Sequence, residues 1–499
     1  MPHGGRADLA RSPSLVRLAA SLGLLLSLLL AAPACRPAST LPSPRTDASA
    51  AAPRTSAADE AFLDDLEKRT FLWFWDLAAP GTGLIPDRAP TPSFSSVAAI
   101  GFGLTAYTVG AERGWVSRRE AADRVASTLR FLLRAPEGDT PSGATSFHGF
   151  FYHFLDMRTG LRFEKVELST IDTTLLIAGI LECAVYFDRD DKVEARIRSD
   201  ADALYRRIDW TWARPRPPGV AMGWTPEEGF HGWNWRGYNE AMILYVLALG
   251  SPTHPIEPAA WAEFVRTYRW GEFYGERYVQ FSPLFGYQYS HVWIDFRGIR
   301  DDFMREKGID YFENSRRATR AQRAYARANP AGWRGYGPDV WGLTACDGPV
   351  DAAAEIDGRR REFHTYWPRG ASLEHVNDDG TIAPTAAAGS IPFAPEWTIP
   401  ALREMKRRWG EFLWNRYGFL DAFNPTLADA SVAVSYGRVV AGTGWFDVDQ
   451  LGIDQGPIVA MIENHRSELI WRTMRKNPYV AAGLRRAGFS GGWLERPER

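Results

Sequence analysis

Six stretches of this chain follow one pattern, in which a polar or aromatic cluster runs into small and apolar residues with almost no charge. They are "SSVAAIGFGLTAYTVG" (95–110), "ELSTIDTTLLIAGILECAVYF" (167–187), "WRGYNEAMILYVLALG" (235–250), "GPDVWGLTACDGP" (337–349), "TIAPTAAAGSIPFAP" (381–395) and "GIDQGPIVAMIENHRS" (452–467). A helix that is apolar all round must be covered by protein on every side. The cover is present in the same sequence. Segments 59–77, 117–134, 190–210 and 398–418 carry apolar residues at helical spacing and charges on the other face. Ser117 with Glu120 three positions later predicts a capping box. Strand-like alternation is confined to short runs such as 277–285 and 431–440. Buried helices alternating with amphipathic ones imply two concentric layers. The expected fold is all-α: an (α/α)6 barrel of six inner and six outer helices, with minor short strands in loops. The polar leads of the inner helices then gather at one end and line a cavity.

The first residues belong to a different regime. Arg6, Arg11 and Arg17 precede the apolar run 18–32, which is signal-peptide length and short for a membrane span. Residues 1–35 are expected to be a signal peptide of lipoprotein type, with Cys35 lipidated. Pro33 departs from the usual small residue, so plain cleavage near Ala34 is the alternative. Residues 36–57 are rich in Pro, Ala, Ser and Thr and read as a flexible linker. The folded domain is expected over 58–499, exported to the periplasm, held at the outer membrane by its lipid, or secreted. The remaining cysteines, Cys183 and Cys346, are expected as free thiols, because Cys183 sits in an apolar run.

Net charge is −2, which gives no reason to expect a nucleic-acid partner. The 20 Trp, 18 Tyr and 27 Phe suit stacking against sugar rings, or a large helical core. Phosphate-loop, zinc-protease and nucleophile-elbow motifs are missing from the sequence. "GFGLTA" (101–106) matches a dinucleotide pattern only formally, since it lies mid-helix; close helix packing accounts better for its glycines. Nine histidines without paired spacing, and a turn-like "NDDG" (377–380), predict no metal; no cofactor is expected.

What remains is carboxylates among aromatics. The helix leads offer Glu167, Asp172, Glu240, Asp339, Asp347, Asp379 and Asp454. Glycoside hydrolysis needs one proton-holding carboxyl and one carboxylate that activates water or attacks. Glu240, close in sequence to Trp233, Trp235 and Tyr238 and followed by apolar helix, suits the acid. Asp454 suits the base: a helix N-terminus would keep it ionised, and Gly452 and Gly456 would leave space for ligand or water. Plainer roles compete. Asp172 or Asp454 could cap its helix, Glu167 could bind Arg162 or Lys165, Glu240 could pair with Arg236, and Asp347 could be a turn residue. Trp235, Trp293 and Trp341 could be core.

Long blocks from residue 60 onward carry a family resemblance. They include 71–88, 166–179, 232–256, 285–298, 333–349, 378–396 and 445–467. In these the chain resembles the bacterial glucoamylase-like domain family that includes glycoside hydrolase family 144, the endo-β-1,2-glucanases. The resemblance implies an (α/α)6 barrel and inverting hydrolysis of β-1,2-glucan. It points to Glu240 as general acid and Asp454 as general base, with Glu167 and Asp172 as further acids of the cleft. Expected substrate contacts are Trp233, Trp235, Arg236, Asn239, Tyr287, His291, Trp293, Asp339, Trp341, Asp347, Asp379, Trp445 and Gln455. The implied partner is an oligo- or polysaccharide and the implied state a monomer. Two rival readings are a polysaccharide lyase using Tyr238, Arg236 and Asn239, and a non-catalytic glycan-binding lipoprotein.

Overall fold

The structure, a computed structural model, describes residues 56–495; the expected signal peptide, Cys35 and almost all of the linker lie outside them. Fifteen α-helices run through the described residues. They are α1 (Ala57–Leu77), α2 (Val97–Glu112), α3 (Arg118–Arg134), α4 (Thr170–Tyr186), α5 (Lys192–Arg206), α6 (Met242–Gly250), α7 (Ala259–Arg266) and α8 (Tyr289–Trp293). These are followed by α9 (Asp302–Lys307), α10 (Tyr311–Ala328), α11 (Pro384–Ala388), α12 (Pro395–Leu413), α13 (Gly452–Arg466), α14 (Leu469–Arg475) and α15 (Pro478–Arg486). Six are the inner helices: α2, α4, α6, α8, α11 and α13. They alternate with the outer α1, α3, α5, α7, α10 and α12. This is the (α/α)6 arrangement that the alternation of apolar and amphipathic segments predicts.

The inner wall is apolar without interruption: every residue of α6 is buried, as is every residue of α2 from Val97 to Gly110. Glycine brings two of these helices together. A Cβ on Gly179 of α4 would stand 2.0 Å from the Gly101 carbonyl oxygen of α2, so the "GFGLTA" glycines serve packing. The wall closes on itself where α13 packs against both α2 and α11. Outer helices start on side-chain caps: the Ser117–Glu120 capping box on α3, Asp191 on α5 and Asp310 on α10.

One inner helix is not where the sequence places it. Residues 337–349 form a loop with a two-residue strand at 345–346, and the fourth inner helix is the five-residue α8. Gly337, Pro338, Gly342, Gly348 and Pro349 break any helix there. Gly342 has φ +143°, and a Cβ on it would meet the Ala383 carbonyl at 2.7 Å. The strands elsewhere are short pairs; the longest is the hairpin 352–356 with 359–363.

The C-terminal ends of α2 and α13 meet in a buried ion network. Arg113 Nε lies 2.6 Å from Glu463, and Arg466 Nη1 lies 2.5 Å from Glu67. At the same end, Trp471 of α14 donates to the His291 carbonyl. Cys183 and Cys346 are both buried free thiols. Among the described residues no helix is long and apolar enough to cross a membrane.

Candidate active site

The N-terminal ends of the inner helices gather at the opposite end and form an acidic mouth. Glu240 lies two residues before α6 on a strapped loop. Ser290 donates to the Glu240 carbonyl at 2.8 Å and accepts from the Ile243 amide at 3.1 Å. Asn239 accepts from the Ala241 amide and donates to the Arg236 carbonyl. Trp235 donates from Nε1 to Thr170, the first residue of α4, at 2.9 Å. The straps hold the Glu240 backbone while its side chain enters a poorly solvated place. Burial first, with the nearby Asp172 carboxylate adding to it, pushes the Glu240 carboxyl up to about 7. Glu240 makes no ion pair with Arg236.

Asp454 stands in the first turn of α13, buried, with one oxygen lacking any partner. Burial, together with the Asp347 and Asp87 charges, pushes it up to about 8, while a hydrogen bond from Asp421 pulls the other way. Asp421 is raised well above the usual range by burial and by the Asp454 charge, so both neighbouring carboxyls favour their protonated forms. The expectation that the helix terminus keeps Asp454 ionised fails for a physical reason: burial among like charges outweighs the terminus. Gly452 and Gly456 leave no room either. A Cβ on Gly456 would stand 2.1 Å from the Phe102 ring, and one on Gly452 2.6 Å from Ala99. Both glycines are packing positions.

Around this pair lie Arg88, which donates to Asp347 at 2.5 Å, and Asp87, 3.4 Å from the same guanidinium. Asp447 is raised well above its usual range by burial and by Asp347. Asp347, Asp421 and Asp447 each place an oxygen within 4.8 Å of the others, the one grouping among the described residues spaced for a cation. Arg88 already engages Asp347, and the Asp347 amide engages Asp421 at 2.8 Å. Three partly committed carboxylates fall short of the six or more oxygens that a hard cation takes. Burial, then the Asp454 charge and more weakly the Glu240 charge, push the Tyr289 phenol up, and its hydroxyl donates to the Ile453 carbonyl at 3.4 Å.

Glu167 and Asp172 come together through a residue that sequence reasoning missed. His153 Nδ1 is 2.8 Å from Glu167, and its Nε2 is 3.5 Å from Asp172. Asp172 does not cap α4; Ser169 does, and it also donates to Asp172 at 2.5 Å. Arg162 turns away to Glu227. Also missed were Asp87, Arg88, Asp421, Asp447 and Tyr289. They come from loops between helices or from the short α8, where no periodicity marks a position.

Several expected sugar contacts are core or surface residues. Trp293, Trp341 and Trp445 are fully buried and show no ring face to the mouth. Trp293 stacks on Phe102 and donates to Thr105, while Trp445 donates to the Tyr436 carbonyl. The Tyr287 hydroxyl accepts from the Phe281 amide, and Gln455 donates to the Phe419 carbonyl. His291 is packed on Phe296 and Phe393 beside Ser315, and burial pushes it down to about 3. Asp379 is locked to the buried Arg369 at 2.7 Å. Asp339 is exposed, near Arg323. Trp233 is 43% exposed, and with Arg236 it lines a surface hollow of about 510 Å3 shared with Arg216, Arg266 and Arg269. That hollow holds no pair of opposed carboxyls, so the acidic mouth, not this surface hollow, is the candidate site. Asp347 does belong to the mouth.

Comparison with known proteins agrees with this architecture. A family model described as "Putative glucoamylase" matches residues 232–478. A solved structure from Bacteroides uniformis with the same description is 32% identical, covers 88% of this chain and 100% of that one, and superposes with a TM-score of 0.73. An endo-β-1,2-glucanase from Chitinophaga pinensis, solved with sophorotriose and glucose, is 29% identical, with coverage of 88% and 100% and a TM-score of 0.74. An exo β-1,2-glucooligosaccharide sophorohydrolase from Parabacteroides distasonis is 30% identical over 467 residues, 86% of this chain; the chain spans 58% of that relative's length. With a barrel of the same build and an identity that extends over the whole of a solved relative, the chain belongs to the glucoamylase-like family.

Proposed function

We propose that the protein is an exported glycoside hydrolase that cleaves β-1,2-glucan by an inverting mechanism, with Glu240 as general acid and Asp454 as general base. The carrying observation is the state of Glu240: a carboxyl strapped at the barrel mouth, poorly solvated and raised to about 7, still holds a proton near neutrality. That proton goes to the glycosidic oxygen as the bond to the anomeric carbon breaks. Asp454 in its ionised form, whose share grows as pH rises toward about 8, is the acceptor for a proton of the attacking water. Inversion requires water between base and anomeric carbon, and hence carboxyls roughly 6.5–9.5 Å apart when the contact is direct. The substrate class is supported by the relatives from Chitinophaga pinensis and Parabacteroides distasonis, which are named for β-1,2-glucan chemistry. Export rests on the basic and apolar segment 1–35, and lipidation on Cys35.

The lyase reading loses its residues. Tyr238 is buried against Tyr268 and Tyr287, Arg236 faces the outer hollow, and Asn239 is used by the loop backbone. The deciding experiment incubates the purified domain with linear and cyclic β-glucans and follows product size and anomer by NMR. Formation of the α-anomer first from β-1,2-glucan is expected. Absence of product from every glucan, with tight binding, would leave a glycan-binding protein instead.

A further inference from the structure

His153 touches the acids of the mouth without being acid or base itself. Its main chain is held from two sides: the amide donates to the Glu167 carbonyl at 2.9 Å, and its carbonyl accepts from the Val97 amide at 3.2 Å. The ring is therefore fixed between the start of α2 and the segment that delivers α4. It stacks on Phe154 with centroids 3.9 Å apart. One ring nitrogen faces Glu167 at 2.8 Å and the other faces Asp172 at 3.5 Å. A neutral imidazole has a single N–H and leaves one carboxylate facing a lone pair; only the imidazolium serves both. Asp172 in turn is the charge that acts on Glu240.

We infer that His153 is a positioning residue, an imidazolium clamp that holds Glu167 and Asp172 in place and sets how much of the Asp172 charge reaches Glu240. The inference rests on the reading of Glu240 as the acid. The groups facing the ring are Glu167, Asp172 and Asp87, with His231 behind Glu167 and Phe154 across its face. Burial works against the ring's charge, but Asp172 and then Glu167 outweigh it and push the imidazole up to about 9. The clamp is therefore charged throughout the range in which Glu240 gives up its proton.

The test uses His153→Gln, which keeps one hydrogen-bonding group and removes the charge. With Asp172 uncompensated, Glu240 holds its proton more tightly. The limb of kcat/KM that reports Glu240 then moves up by roughly half a unit or more, and kcat falls by more than KM changes. In parallel, labelled-histidine NMR on Glu240→Gln protein assigns the His153 signal by its loss in the double variant. That signal is expected to stay protonated at pH 7.5 and to titrate at least one unit lower after Glu167→Gln. A Glu240 limb that does not move in folded His153→Gln, or a ring already neutral at pH 7, overturns the clamp. Should His153→Gln not fold, the NMR shift caused by Glu167→Gln or Asp172→Asn decides alone. Full activity of Glu240→Gln would remove the acid reading but leave the NMR result on the clamp standing.

Discussion

The two ends of the barrel use the same kinds of side chain to opposite effect. At the closed end, Glu67 and Glu463 each face an arginine, Arg466 and Arg113, and Arg466 reaches on to Asp64 and Glu60. Two arginines serve four acids there. At the mouth, Asp87, Asp347, Asp421, Asp447 and Asp454 share one guanidinium, Arg88, and Glu167 and Asp172 share one imidazole, His153. Buried carboxylates without enough cations keep protons instead. The difference teaches what separates a structural ion network from a reactive one. At the closed end two arginines lie against the acids, and burial with the Glu463 charge still raises Glu67; at the mouth burial raises Asp421, Asp447, Asp454 and Glu240, and the last two stand where protons can be passed on.

The largest effect should come from Glu240→Gln. Turnover of β-1,2-glucan is expected to fall by roughly two to four orders of magnitude with the fold unchanged by circular dichroism. Near-normal turnover would erase the functional distinction between the ends. At the closed end, Arg466→Ala strands Glu67 and should cost about 3 kcal/mol in denaturant unfolding, with activity per folded molecule unchanged. A loss of activity at full stability would show the ends to be coupled.

A pH series sharpens the contrast. Glu240 is raised from 4.5 to about 7 in the fold, so the folded state binds more protons in that window. Stability from this group is full below about 4.5 and is lost as pH rises through about 7. Glu240→Gln should therefore be the more stable protein at pH 8, by about 1–3 kcal/mol, with the advantage gone at pH 4. In the wild type, Glu240 must hold its proton while Asp454 is ionised, so kcat/KM should peak between about 7 and about 8 and fall on either side. A smaller effect is expected for Asp421→Asn, which replaces the carboxyl coupled to Asp454 with an always-neutral group that can still donate; the limb of the activity profile that reports Asp454 should move down by roughly one unit. Smallest is Ser290→Ala, which loosens the Glu240 strap and should cost about 1 kcal/mol of stability.

How legible this was from the chain follows the length of each signal. The inner helices α2, α4, α6 and α13 are long apolar runs and can be read directly. The five-residue α8 is too short to show a period, and 337–349 is apolar but broken by glycine and proline. Glu240, Asp454, Glu167 and Asp172 reach one mouth because each stands at or near the start of an inner helix, a position that the pattern reveals. The pattern says nothing about which aromatic rings turn inward, so Trp293, Trp341 and Trp445 read equally as sugar platforms until the packing is seen. Arg88, His153 and Asp421 gain their meaning from partners that loops bring in from far along the chain. Asp421 and Arg88, for example, meet around Asp347 across 333 positions.

The two thiols supply the molecule with internal clocks. Cys183 is fully enclosed in the wall helix α4, its sulfur directed at the Leu104 carbonyl, and Cys346 is fully enclosed among the mouth loops beside Arg369. A thiol reagent can modify either one only after its surroundings open. Their labelling rates therefore time two different events in one sample, the parting of the wall and the loosening of the mouth. Substrate that seats in the mouth should slow the second clock and leave the first to global unfolding.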